Sequence, residues 1–324
     1  MSKRRVAIGV DVGGTTTKGG IVTHAGEVLI RLERPTDATA GTKGIIAVAD
    51  DLLGRASDLG VEVEAVGVGA AGFIDARSGS VTFSPNIVYD DPEIGVAVHA
   101  RTGLPIVVDN DANAAAWAER AFGTARGYDD VVLVTIGTGI GSGIIAGGRL
   151  VRGFTGAGAE LGHTVVDPSA HHCHCGLRGC LEQLASGQAI ARMAREAVAE
   201  DPGSSIVDFA GTVEAITSQH VANAAHERDG SALEVLHRAG VSLGIGLSNV
   251  ANLFDPEVIV LMGSVVKAGE PYLGPARDRL FAMTSAQRRR PMRLDLTVLE
   301  NDAGIIGAAA LAFDEAAVPG GSGG

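Results

Sequence analysis

The apolar run Val6 to Val10 is broken by Asp11 and the pair Gly13-Gly14, and apolar character returns at Ile21-Val22. Strand, tight glycine turn, strand: the pattern predicts a β-hairpin. Residues 27–32 predict a third strand. Ile45, Ile46, Ala49, Leu52, Leu53 and Ala56 then recur at helical spacing and place one apolar face on a helix. Residues 63–70 and 105–109 are short apolar runs suited to buried strands, and the alanine-rich stretch Asp111–Phe122 suits a helix.

The pattern then starts again. Val131–Ile136 predicts a strand, residues 137–141 a glycine turn, and residues 143–146 a returning strand. IGVDVGGTTTKGGIV and VTIGTGIGSGIIAGG are weakly self-similar, with Asp11 opposite Thr135. Two related halves, each opening on a glycine-tipped hairpin, and a chance likeness of two glycine-rich turns both account for this. Residues 186–200 predict a helix. Ser231-Ala-Leu-Glu234 has the form of a capping box and predicts a long helix running to Phe254. Residues 257–261 and 294–299 predict strands, residues 304–313 a terminal apolar helix, and the tail at 317–324 a flexible end. Strands alternating with helices in two halves give an α/β protein of two domains.

The length of 324 residues agrees, since one core rarely serves so long a chain. Lys+Arg is 26 against 38 Asp+Glu, a formal net charge of −12 that opposes a nucleic-acid partner. The run Arg288-Arg289-Arg290 before Pro291 reads as a solvated turn. No signal-peptide core follows the N-terminal basic residues, and the uncharged stretch 131–148 is split by glycines, so no membrane span is expected. All three cysteines lie between Cys173 and Cys180, which points to metal or redox chemistry in the cytoplasm rather than a disulfide framework.

Three features carry candidate chemistry. Glycine turns expose successive N–H groups that cradle phosphate oxygens, and neither turn here fits a P-loop or a dinucleotide fingerprint. Two hairpins gripping one triphosphate is a different solution, with Asp11 holding Mg²⁺. Asp109-Asn110-Asp111-Ala-Asn113 joins a strand to a helix. It serves equally as a helix cap or as a sugar-hydroxyl site with a proton-accepting carboxylate. Cys173-x-Cys175-x₄-Cys180, with His163 ten residues upstream, supplies three thiols and an imidazole suited to a closed Zn²⁺ site. His171, His172 and His174 are rival fourth ligands on spacing.

From Val6 to about Ala312 the chain resembles the ROK family of repressors, open reading frames and kinases, and its glucokinases in particular. The motifs are DVGGTTTKGGIV, DNDANAAAWAE, TIGTGIGSGII, GAGAELGH, CHCGLRGCLE and FDPEVIVLMGSVV, in family order. The resemblance implies a two-domain α/β, actin-like and hexokinase-like (ribonuclease H-like) sugar kinase fold with an interdomain cleft and a zinc loop. Its smaller domain would span 1–118 with a returning helix at 303–316, its larger one 119–302. The resemblance also implies ATP-dependent phosphorylation of glucose, with Asp111 as catalytic base. Gly72, Asn86, Asn110, Glu160, His163 and Glu182 would join Asp111 around the sugar. Asp11, Gly13, Gly14, Thr15, Thr16, Lys18, Gly137, Thr138, Gly139, Gly263 and Ser264 would serve ATP and Mg²⁺. Zinc would be held by His163, Cys173, Cys175 and Cys180, the resemblance choosing His163 among the histidines.

Two positions depart from the family pattern. Thr16 stands where a lysine usually follows GGT, with Lys18 two residues on, and Met262 stands in an expected glycine triplet. Other kinases of the family act on N-acylmannosamine, fructose, allose or glucosamine, and some use polyphosphate. Its repressors carry a helix-turn-helix ahead of the first hairpin, where only five residues precede the strand here. The family habit is a homodimer or homotetramer.

Overall fold

The computed structural model describes residues 3–84, 86–284 and 292–316. The arginine turn at 288–290 and the tail at 317–324 lie outside the described residues. In chain order the elements begin with β1 (Arg5–Val12), β2 (Thr16–Thr23), β3 (Val28–Pro35), α1 (Gly41–Asp58), β4 (Glu62–Ala70), β5 (Phe73–Asp75) and β6 (Ser80–Phe83). Next come α2 (Ile94–Thr102), β7 (Ile106–Asn110), α3 (Asp111–Phe122), β8 (Val131–Ile136), β9 (Ile140–Ala146) and β10 (Arg149–Leu150). The rest are α4 (Glu182–Ala185), α5 (Gly187–Glu200), α6 (Ile206–Ala210), α7 (Ser218–His226), α8 (Gly230–Phe254), β11 (Val258–Met262), α9 (Glu270–Met283), β12 (Arg293–Leu296) and α10 (Ala303–Ala316).

Two five-stranded sheets carry these elements, ordered β3-β2-β1-β4-β7 and β10-β9-β8-β11-β12. Counting strands within each sheet, both read 3-2-1-4-5. That shared order is the structural counterpart of the weak internal repeat in the sequence. In the first sheet β1–β2 and β2–β3 are antiparallel while β1–β4 and β4–β7 are parallel. The chain forms two compact units. One comprises the chain up to Leu133, Gly143–Ala159 and the chain from Thr297 onward; the other comprises Val134–Ser142 and Glu160–Leu296.

The first unit is layered. Ile45, Val48, Leu52 and Ala56 of α1 are buried with Val6, Ile8, Val10, Ile21, Val66 and Val68 of the sheet. On the other face lies α10, nearly all of it buried. Glycines set how closely it sits: a methyl group at Gly67 would run into the Ala308 carbonyl, and one at Gly9 into the Ile305 carbonyl. Gly67→Ala is therefore expected to cost about 2–3 kcal/mol through overpacking against backbone. Gly54→Ala, on α1 with nothing within 4 Å of the added carbon, gains about 0.5–1 kcal/mol. Thermal denaturation of the two variants beside the parent checks both signs.

Two sequence readings are corrected. The long helix starts at Gly230, and its cap is Asp229, whose side chain accepts from Ala232 N at 2.8 Å. Ser231 instead donates to Asp201 at 2.9 Å, so the Ser-x-x-Glu pattern is not the cap. The last strand ends at Leu296 rather than 299, because the Thr297 hydroxyl accepts from the N–H groups of Leu299 and Glu300 and turns the chain.

Candidate functional site

In the first unit the hairpin turn is closed by Gly13 N donating to Thr16 O at 3.0 Å. Thr36 braces it: its hydroxyl donates to Gly13 O at 2.7 Å and its N–H to Thr15 O at 2.9 Å. Asp11 and Lys18 are directly paired across β1 and β2, so their side chains share one face of the sheet. Burial pushes the Asp11 carboxyl up from 3.8 to about 6, with the Lys18 charge opposing. Gly304, near the start of α10, is held glycine by the Asp11 carboxylate, which fills the place of a Cβ.

A raised carboxyl binds its proton more tightly when folded. The stability it contributes is present below the unfolded value of 3.8 and lost as pH rises through about 6. Asp11→Asn is therefore expected to raise the melting temperature of the ligand-free protein at about pH 7.5 while leaving it nearly unchanged at about pH 4, an effect of at most roughly 3 kcal/mol. Melting curves in magnesium-free buffer decide; an equal offset at both pH values overturns the assignment.

At the end of β7 the chain turns directly into α3. Asn110 is the cap: its Oδ1 accepts from Ala112 N at 2.9 Å and Asn113 N at 3.2 Å. Its Nδ2 donates to Gly72 O at 3.1 Å, bringing two of the expected residues together. Asp111 follows at the first helical position, where a carboxylate suits the helix dipole. Tyr89, buried beside it, has its ionisation pushed up by burial and by the Asp111 charge, and donates to Ala71 O at 3.1 Å. Asp109 is almost fully buried; one oxygen accepts from Asn110 N and Asn113 Nδ2, and the other pairs with Arg152 at 2.7 Å. Asn86 is exposed, with its Cβ 4.0 Å from where a Cβ on Gly14 would be.

In the second unit His163, Cys173, Cys175 and Cys180 converge, their ligand atoms all within 4.8 Å of one another. His163 Nδ1 lies 3.6 Å from Cys173 Sγ, and Cys175 Sγ lies 3.6 Å from Cys180 Sγ. A tetrahedron with metal–ligand bonds of about 2.0–2.3 Å has edges of about 3.5–3.8 Å, so these separations fit zinc. Gln183 Nε2 approaches Cys173 Sγ at 3.9 Å, and Arg192 donates to Gln183 O at 2.7 Å. Among the described residues His171, His172 and His174 do not join this group.

Glu160 immediately precedes the 3₁₀ turn Leu161–His163. Burial raises its carboxyl, while the His163 charge lowers it and the Glu182 charge raises it further. Gly137 N donates to Gly139 O at 3.0 Å, which closes the second glycine turn. Gly263, at φ +107°, abuts the backbone of Ile136, where a Cβ would collide. Ser264 lines a recess with Ile190, Thr217, Ser218, Gln219 and Val265. Sequence reasoning missed Tyr89, Thr36, the Asp109–Arg152 pair and this recess. A Thr217-to-His220 capping box marks α7 and was the available local signal for the recess.

The model of the ROK family matches residues 7–315. This chain belongs to the ROK family. It is 38% identical over 312 residues to a glucokinase of Streptomyces coelicolor, covering 95% of this chain and 97% of that one. A glucokinase of Thermotoga maritima is 37% identical over 305 residues, covering 94% and 96%. Among solved structures, a ROK family glucokinase of Streptomyces griseus in complex with glucose and AMPPNP superposes with a TM-score of 0.83 at 39% identity, covering 95% of this chain and 99% of that one. The two α/β sheets and the His/Cys₃ cluster are thus those of a ROK kinase with an actin-like fold. Among the described residues no helix of this family member is long and apolar enough to cross a membrane.

Proposed function

We propose that this ROK protein transfers the γ-phosphoryl group of ATP to the 6-hydroxyl of glucose. The supporting observation is its full-length similarity to glucokinases, one of them solved with glucose and an ATP analogue. Asp111 accepts the hydroxyl proton during an in-line transfer. Gly72, Asn86, Asn110, Glu160, His163 and Glu182 contact the sugar. Backbone N–H groups of the turns at Gly13–Thr16 and Gly137–Gly139 stabilise charge on the phosphoryl oxygens. Gly263, Ser264 and the recess beside them seat the nucleoside. Lys18, fixed opposite Asp11, adds a cation on the phosphate side.

Asp11 would hold Mg²⁺, which neutralises phosphate charge when bound. His163 and the three cysteines would hold Zn²⁺, which orients the imidazole without taking part in the chemistry. With Nδ1 turned to the thiols, Nε2 of His163 remains to meet a sugar hydroxyl. A coupled assay of glucose, mannose, fructose, glucosamine and N-acylmannosamine against ATP and polyphosphate tests this reading. Glucose with ATP is expected to give the highest kcat/KM. A preference for an acylated amino sugar, or for polyphosphate, overturns it.

A further inference from the structure

Glu182 carries an interaction that its expected place at the sugar does not account for. One carboxylate oxygen, Oε2, accepts the backbone N–H of Ile140 at 3.0 Å. Ile140 opens β9, directly after the Gly137–Gly139 turn. The same oxygen fills the space where a side chain at Gly139 would begin, so glycine there leaves the carboxylate room to reach Ile140 N. The contact continues along the chain: Gly187 N donates to Gly137 O at 2.8 Å and Gln188 N to Thr138 O at 3.4 Å. Residues 182–188 therefore hold the turn at three successive points. Glu182 is the one side chain among them.

We infer that Glu182 is a positioning residue for the nucleotide: its carboxylate fixes the second glycine turn in the shape that receives the phosphates. Resting on the kinase reading above, the inference makes Glu182 the joint through which occupancy by a sugar reaches the turn. A sugar hydroxyl bonded to Oε1 polarises and orients the carboxylate whose Oε2 holds Ile140. Sugar and nucleotide then bind with mutual reinforcement, and by reciprocity the gain is equal in both directions. The arrangement also places Glu182 two residues after the metal ligand Cys180, so the metal loop supports the phosphate turn as well as His163.

Calorimetric binding of Mg·AMP-PNP without glucose, and of glucose without nucleotide, separates the roles in the metal-loaded enzyme. Glu182→Ala is expected to weaken AMP-PNP alone by about tenfold, the size of one lost charge-assisted hydrogen bond. Glu182→Gln keeps a carbonyl for Ile140 and should return nucleotide affinity to within about threefold of the parent while glucose stays weakened. Amide exchange at Ile140 should quicken in the alanine variant and not in the glutamine variant. Parental AMP-PNP affinity in Glu182→Ala, with glucose binding lost, overturns the inference and leaves the kinase reading standing. A parent protein that binds no AMP-PNP overturns both.

Discussion

Asp111→Ala is expected to lower kcat by about 10³-fold or more if Asp111 is the base proposed above, within the span that a positioned general base supplies. The fold survives the change. Helix α3 takes its cap from Asn110, which bonds two of the free N–H groups of the first turn. Asp111 adds a bond to Ala112 N at 2.9 Å and a favourable charge at the helix start, together worth about 1 kcal/mol. Steady-state kinetics, glucose calorimetry and a melting curve on the same preparation separate catalysis from folding. Turnover above a few per cent of the parent removes the base role from Asp111. The neighbouring acid makes a contrast. Asp109→Ala leaves Asn110 N and the buried Asn113 Nδ2 without their acceptor and frees the part-exposed Arg152 guanidinium, and should cost about 2–3 kcal/mol of stability.

The second large effect is expected on removing the zinc proposed for His163 and the three cysteines. Between β10 and α4 the chain has little regular structure, a single 3₁₀ turn at Leu161–His163. The loop is held by scattered bonds such as Leu181 N to Thr164 O at 2.9 Å and Cys173 N to Leu177 O at 2.8 Å, and by the isolated bridge between Val165 and Cys180. Structural zinc contributes about 10–16 kcal/mol of binding free energy in small peptides, far more than such bonds supply. Cys180→Ser, at a fully buried ligand, should therefore lose the metal, expose the loop to proteases between 163 and 180, and raise the glucose KM by more than about tenfold. Chelation of the parent should do the same, with recovery on adding Zn²⁺. Chelated protein that contains no metal and keeps parental glucose KM overturns the structural role.

The hairpins were legible because apolar runs interrupted by paired glycines leave few alternatives. The His/Cys₃ cluster was legible because its four members lie within 18 residues of sequence. Other features had no local sign. Arg152 meets Asp109 across 43 residues, and Glu182 meets Ile140 across 42. No period or spacing encodes such pairs; only the completed sheets create them. Asp229 and Ser231 show competition of another kind, since both are good caps and the one with partners at Ser204 and Ser205 prevails. Helix α2 buries only Ile94 and Val98, too few to mark a stripe, and in α9 Pro271 and Pro275 read against a helix although Tyr272, Leu273, Ala276 and Leu280 are buried along one side.

The seating of α10 on β1 and β4 has a consequence for synthesis on the ribosome. The sheet is complete in sequence by residue 110, yet the helix that covers one of its faces begins at Ala303. At about 5–20 residues per second, the chain spends roughly 10–40 s with Ala7, Val22 and the glycine-lined face of β4 unprotected. The second unit is complete in sequence at Leu296, just before that helix is made; the first is not. A premature stop between residues 297 and 302 would thus leave the earliest-made part of the protein, rather than the latest, as the portion open to aggregation and to chaperone capture.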